Sequence, residues 1–287
     1  MNVVKAHAFG NDFLLVREQD LPPAGDRAAL AREICERHRG IGADGLITFT
    51  DDAPLASARG VSQAGYGEAS PKPLRGEGGG VHMSLLNADG SYSEVSGNGV
   101  RCLAAWLATK GNMRPGDAVD IHTDAGRKAL ELLAREGRRL TFRTAMGQPE
   151  QVQRRTIDVD GVPIDAVTLR VGNPQCVVLG DVTVERLHSV AGRLAVHPAF
   201  PQGTNVELAR VEAPDRVRIL IWERGVGPTE ASGTGACAAA VAAIAYGGAG
   251  RDVQVVSPGG AQRVEWTDAG LFLTGWAEVL FEARWMA

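Results

Sequence analysis

No stretch of this sequence carries a block of like charge: 30 Lys and Arg stand against 34 Asp and Glu, for a net charge of −4. A basic face for nucleic acid is therefore not expected. Long apolar runs are missing too. The longest, Ala236 to Tyr246, is too short and too alanine-rich to span a bilayer. The N-terminus, Met1-Asn2-Val3-Val4-Lys5-Ala6-His7, lacks the basic-then-apolar pattern of a signal peptide. We expect a cytoplasmic protein with neither a membrane nor a nucleic-acid partner. Cysteine is scarce. Cys35, Cys102, Cys176 and Cys237 make no Cys-x-x-Cys pair and no Cys/His cluster with zinc spacing. No metal is expected, and the four read as buried thiols of a reducing compartment.

What the sequence does have is a repeated turn. Ser96-Gly97-Asn98-Gly99-Val100-Arg101-Cys102 is followed by Leu-Ala-Ala, and Ser232-Gly233-Thr234-Gly235-Ala236-Cys237 by Ala-Ala-Ala. Serine is a favoured helix N-cap, and glycine is permissive beside it. Two such turns in two halves of one chain point to a duplicated fold whose helix N-termini present backbone N–H groups to an anion. The 287 residues suffice for two domains.

The pattern around these turns predicts strands over Val3–His7 and Asp12–Val16, a helix over Asp26–His38, and strands over Leu46–Thr50 and Val81–Asn87. Residues 52 to 80 are rich in Gly, Ala, Pro and Ser and read as a long insertion. Val100–Ala108 and Ala236–Tyr246 are the two short helices, and the second, having no charge, must be buried. Strands are predicted at Val119–Thr123, Lys128–Leu133, Arg139–Thr144, Thr168–Val171, Cys176–Leu179 and Arg216–Trp222, with a helix at Val184–Leu194. Phe9-Gly10-Asn11-Asp12 matches Val171-Gly172-Asn173-Pro174 in the second half. The expected fold is α+β: two pseudo-twofold-related domains, each a mixed sheet wrapped around a central apolar helix. We place the first at 1–128, joined by a C-terminal strand 278–287, and the second at 129–277.

The ordered motifs resemble the diaminopimelate epimerase family. They are His7-Ala8-Phe9-Gly10-Asn11-Asp12-Phe13, Arg37-His38-Arg39-Gly40-Ile41-Gly42-Ala43-Asp44-Gly45, Asn87-Ala88-Asp89-Gly90-Ser91, Gly172-Asn173-Pro174, Gly203-Thr204-Asn205-Val206 and Trp222-Glu223-Arg224-Gly225-Val226-Gly227, together with the two serine turns. The resemblance runs nearly end to end outside the insertion. It implies a cofactor-independent isomerase of lysine and cell-wall biosynthesis, a homodimer, with the active site in a cleft between the domains. Two cysteine thiols would invert Cα of a zwitterionic amino acid, taking LL- to meso-2,6-diaminopimelate. By position, Gly97, Asn98, Gly233 and Thr234 would hold the α-carboxylate, where donors stabilise the carbanion. Asn11, Asn87, Asn173, Asn205 and Arg224 would grip the distal end, and Glu223 would stand beside the reacting centre. Arg224 suits this through its planar fork.

The chain departs from that pattern where it matters most. Ser96 and Ser232 occupy the positions of the two catalytic cysteines, and Gln175 follows Asn173-Pro174 where the family has histidine. Ala8, Pro228 and Trp276 are smaller departures from the family's usual Gly, Glu and Pro. Ionising a thiol at pH 7 costs roughly 2 kcal/mol and a hydroxyl roughly 12 kcal/mol. A helix N-terminus returns about 0.3 to 2 kcal/mol. The deficit leaves about six to seven powers of ten less reactive base, unless a neighbour such as His7 or Glu223 is the base. Replacement of both thiols by design accounts for the serines but does not need Gln175; divergence accounts for all three. A non-catalytic amino-acid-binding protein, or another isomerase or dehydratase on the same fold with Glu223 as base, would use the same frame.

Overall fold

The computed structural model of the chain describes residues 1–22, 26–51 and 80–286. The expected insertion therefore lies outside the described residues, except for Gly80. The chain divides into two compact units, 1–145 with 275–287, and 146–274.

In the first unit, β1 (Asn2–Ala8) and β2 (Asn11–Arg17) form an antiparallel hairpin pairing Ala8 with Asn11. The two residues between them, Phe9 and Gly10, both have positive φ, 56° and 87°. That is the turn that suits strand twist, and Gly10 enters it without steric cost. A short helix, α1 (Arg27–Ile34), follows. It begins where Asp26 accepts the Ala28 N–H, and it ends earlier than the predicted His38 because Gly40 and Ile41 turn back onto the carbonyls of Glu36 and Ile34. Then β3 (Gly45–Asp51) lies parallel to β2, and β4 (Val81–Asn87) antiparallel to β3. The two-residue β5 (Tyr92–Ser93) precedes α2 (Gly97–Lys110), after which β6 (Ala118–Thr123) runs parallel to β4. A meander of β7 (Gly126–Glu136) and β8 (Arg139–Gly147) completes the sequence.

The second unit repeats this order. After β9 (Glu150–Val159), β10 (Val162–Val171) and β11 (Asn173–Leu179) form the antiparallel hairpin, turning at Gly172 with φ 76°. A helical stretch follows as α3 (Val184–Arg186), a π turn (Leu187–Ala191) and α4 (Gly192–Ala195). Then β12 (Asn205–Ala213) lies parallel to β11, and β13 (Arg216–Glu223) antiparallel to β12. The short β14 (Gly227–Thr229) precedes α5 (Gly233–Tyr246). Then β15 (Asp252–Ser257) runs parallel to β13, followed by β16 (Gly260–Thr267) and β17 (Gly270–Arg284). Both units thus follow one pattern of antiparallel, parallel, antiparallel, parallel pairings, with a short strand and then the helix inserted before the last of these.

Each helix is the core of its unit. All of Gly97 to Ala108 and all of Gly233 to Ala243 are buried. Small residues let the strands close on α5 from β10, β11, β12, β13, β15 and β16. Burying apolar surface at about 25 cal/mol per Å² is what holds such a layer together.

The boundary drawn near 128 moves to 145, because β7 and β8 are paired into the first unit through β6. The C-terminal segment that joins the first unit is 275–287, within which β17 pairs with β1 from Asn2↔Arg284 to His7↔Glu278, the strand expected from 278. Trp276, unusual for the family pattern, packs on Phe9 at 4.5 Å and under the Arg139 guanidinium at 4.1 Å, both in the same unit.

Candidate active site

Each unit presents a half-site at the start of its central helix. In the first, Ser96 has extended backbone and its Oγ accepts the Gly99 N–H at 3.1 Å. Gly97, Asn98 and Gly99 are buried behind it. Asn98 donates to Asn11 Oδ1 at 3.1 Å, and Asn11 donates to Asp44 at 2.7 Å. Two residues predicted from separate motifs are thereby joined. The buried Arg101 guanidinium donates to Asn98 Oδ1 and lies 5.7 Å from the Phe9 ring. Both oxygen and amide of Asn98 are thus held, which fixes the backbone that follows Ser96.

A charged frame supports Asn11 from behind. Asp12 and Asp44 exchange backbone N–H bonds, and Arg37 reaches both, at 3.0 and 2.7 Å. Lys5 adds a contact to Asp12 at 2.9 Å. Burial pushes the Asp12 carboxyl up, but hydrogen bonds from Arg37 and Lys5 outweigh it and hold the group below the usual range. Asp44 is shifted the other way, mainly by burial. Asn87 is not part of this chain of bonds: its amide donates to Ser91 Oγ at 3.0 Å within its own turn. His7 pairs with Asp12 across the hairpin, while Asn11 pairs with Ala8. Alternation therefore turns His7 to the opposite strand face from Asn11, beside Glu278 at 3.8 Å and Trp276. That removes it as a neighbour of the Asn11–Asn98 pair.

In the second unit Ser232 caps α5 in the same way, accepting the Gly235 N–H at 3.1 Å. Its hydroxyl lies 3.4 Å from Thr234 Oγ1, and Gln262 donates to its carbonyl at 3.4 Å. Asn205 accepts the Arg224 N–H at 2.9 Å, and Arg224 donates through Nη1 to the Gln202 carbonyl at 3.1 Å. Gly203, with φ 71°, is required here, because a Cβ would meet Arg224 Cδ at 3.0 Å. Asn173 accepts from Gln175 at 2.6 Å, and Gln175 pairs with Asn205 on the neighbouring strand. Asn173, Asn205, Gln175 and Arg224 are so gathered at one end of β11, β12 and β13. An open cavity of about 440 Å³ adjoins them, lined by Arg155, Arg170, Gln175 and Gln202 among others.

The sequence reading missed two acids. Asp44 was visible only as part of a glycine-rich motif. Glu207 stands two positions after Asn205 on a strand that is otherwise apolar inward, and it is fully buried. An acid at an inward position of a Val-Glu-Leu run was the available signal. Burial, with Glu223 nearby adding to it, raises Glu207 well above the ordinary carboxylate range, so it holds its proton. Cys176 is likewise pushed up by burial, and Cys35 to about 12 by burial and the nearby aspartates, so neither is a ready thiolate. Among the described residues no group of three or more His, Cys, Asp or Glu is placed to hold a metal, and no helix is long and apolar enough to cross a membrane.

The diaminopimelate epimerase family model matches residues 3–152 and 167–280. The chain belongs to that family. It is 37% identical over 305 residues to diaminopimelate epimerase of Desulforudis audaxviator, covering 100% of this chain and 99% of the relative. It is 35% identical over 297 residues to that of Microcystis aeruginosa, covering 97% and 96%. Among solved structures, a hydroxyproline epimerase from Agrobacterium vitis has a TM-score of 0.70 at 15% identity, over 99% of this chain and 91% of that one. A phenazine biosynthesis protein of Bacillus anthracis has a TM-score of 0.63 at 14% identity, over 100% and 99%. At such identities these two share the fold with this chain.

Proposed function

We propose that this chain has the frame of an epimerase-type amino-acid isomerase, binding a diaminopimelate-like zwitterion and handling its α-proton. The observation that supports this most is the pair of largely buried helices, each begun by a serine whose hydroxyl accepts the N–H three residues on, so that both starts repeat one geometry. Gly97, Asn98, Gly233 and Thr234 hold the α-carboxylate. Two helix N-termini place partial positive charge where the carbanion spreads its own negative charge. Asn11, Asn173, Asn205 and Arg224 orient the far amino and carboxylate groups.

Ser96 and Ser232 stand where the family's thiols take and deliver the proton, and Glu223 stands beside the reacting centre. A serine hydroxyl is too weak an acid to replace a thiol unaided. The binding half of the apparatus is the part this reading holds intact. Calorimetry with meso-diaminopimelate tests it. Binding is expected, and Arg224→Gln is expected to weaken it by about tenfold or more, as loss of a charge-assisted contact does. Failure to bind would refute the substrate class. Binding with no α-proton exchange in deuterium oxide would make the chain a binding protein.

A further inference from the structure

The two half-sites share their serine caps and differ in what stands behind them. In the first unit Phe13 pairs with Gly45 and Leu15 with Ile47 between β2 and β3. In the second, Gln175 pairs with Asn205 and Val177 with Glu207 between β11 and β12. Ile47 and Glu207 are therefore equivalent in the repeat. The helix starts confirm this. A Cβ on Gly99 would meet Ile47 Cδ1 at 3.0 Å and Ser96 Oγ at 3.5 Å. A Cβ on Gly235 would meet Glu207 Oε1 at 2.6 Å and Ser232 Oγ at 3.2 Å. One copy backs its serine turn with a methyl group, and the other with a carboxyl.

That carboxyl is costly. Glu207 has 0% of its surface exposed, and neither of its oxygens has a hydrogen-bond partner. An unsatisfied buried polar group is destabilising, and the sister repeat shows that an apolar residue fills the same position. Packing alone does not call for an acid here. Its ionisable surroundings are few. Cys176 lies on β11 and Glu223 at the end of β13. α5 contributes only Cys237 and, at its far end, Tyr246.

We infer that Glu207 is the proton store of the second half-site and acts through Ser232. This rests on the proposed function, and deepens it. In one direction, the Ser232 hydroxyl takes the proton from substrate Cα while passing its own to the Glu207 carboxylate. The Cα–H bond breaks, its electron pair stays on carbon, and a carboxylic acid forms. In the other direction, Glu207 returns its proton to Ser232 as Ser232 delivers one to Cα. The relay requires the Ser232 hydroxyl to turn from the Gly235 N–H it caps towards Glu207 Oε1. No free alkoxide forms, which removes the penalty that makes a lone serine inert. Exchange occurs when the Ser232 hydroxyl or the Glu207 acid trades its proton for one from solvent before the return step. Because Ile47 occupies the corresponding place in the first half-site, that half has no such store, and exchange runs without inversion.

The test is deuterium wash-in at Cα of LL- and meso-diaminopimelate, followed by proton NMR across pH, in the full chain and in Glu207→Gln, Ser232→Cys and the Ser232→Cys plus Glu207→Gln double variant. The serine chain is expected to exchange with retention, at a rate that rises with pH as Glu207 ionises above the ordinary carboxylate range. Glu207→Gln should slow this about 100-fold, the lower end of what a positioned proton-transfer group supplies. In the Ser232→Cys background the same change should matter by no more than about threefold, because the thiol carries its own proton. Exchange in Glu207→Gln at the rate of the unaltered chain would overturn the inference, as would equal damage in both backgrounds, or no exchange by the unaltered chain. Calorimetry on the same proteins separates the two levels: absent binding, or binding without exchange by the unaltered chain, refutes the proposed function as well, whereas intact binding and exchange that Glu207→Gln leaves unslowed refute only Glu207.

Discussion

At the scale of single residues, the chemistry of this chain turns on hydroxyls standing where thiols are expected and on one acid in an apolar wall. Glu207 leaves a thermodynamic signature independent of any reaction. Its proton is held in the folded state to a pH well above the value at which the unfolded chain releases it. The unfolded state therefore binds fewer protons in that window, and stability falls as pH rises. The contribution is fully present below the ordinary carboxylate range and is lost progressively as pH rises above it, until the raised value is reached. Glu207→Gln removes the titration. The melting temperature of the variant minus that of the parent is expected to grow as pH rises above the ordinary carboxylate range. A difference constant with pH would show that Glu207 titrates normally.

At the scale of elements, the helices were the most legible feature, because Ser-Gly-x-Gly before an alanine run announces both the cap and the burial. Their starts were placed three residues late: the glycines after each serine are already helical, since the serine hydroxyl satisfies the third N–H and lets the helix begin at Gly97 and Gly233. The polar strand β9, Glu-Gln-Val-Gln-Arg-Arg-Thr-Ile-Asp-Val, was invisible, because its faces are mostly exposed and pairing with β10 rather than burial holds it. Asn11 and Asn98 were each legible as motif residues, but their hydrogen bond was not, since the span between them is long. The two caps also differ in what they tolerate. Gly99→Ala meets the end of a flexible Ile47 side chain, whereas Gly235→Ala is driven onto the Glu207 carboxyl at 2.6 Å. Overpacking of a tight site costs about 1 to 3 kcal/mol. Gly235→Ala should therefore lower the urea midpoint more than Gly99→Ala, and the added change Glu207→Ala should relieve much of the difference. Equal midpoints for the two glycine variants would contradict this packing.

At the scale of the whole molecule, duplication was legible from two short turns and a repeated Gly-Asn, and the repeated strand order bears it out. The boundary was harder to see, because β7 and β8 continue the first sheet through sequence that reads like any other β-rich stretch. Duplication also explains how the halves could come to differ: once each repeat has its own helix start, an acid can enter one wall and leave the other apolar. The account's central claim is that the frame of a two-base epimerase is retained while its proton-moving groups have changed. The most direct measurement is chiral analysis of LL- and meso-diaminopimelate after incubation with the unaltered chain and with Ser96→Cys plus Ser232→Cys. The account predicts that the double variant interconverts the two stereoisomers and that the serine chain does not. A folded, substrate-binding double variant that leaves both stereoisomers unchanged would contradict it.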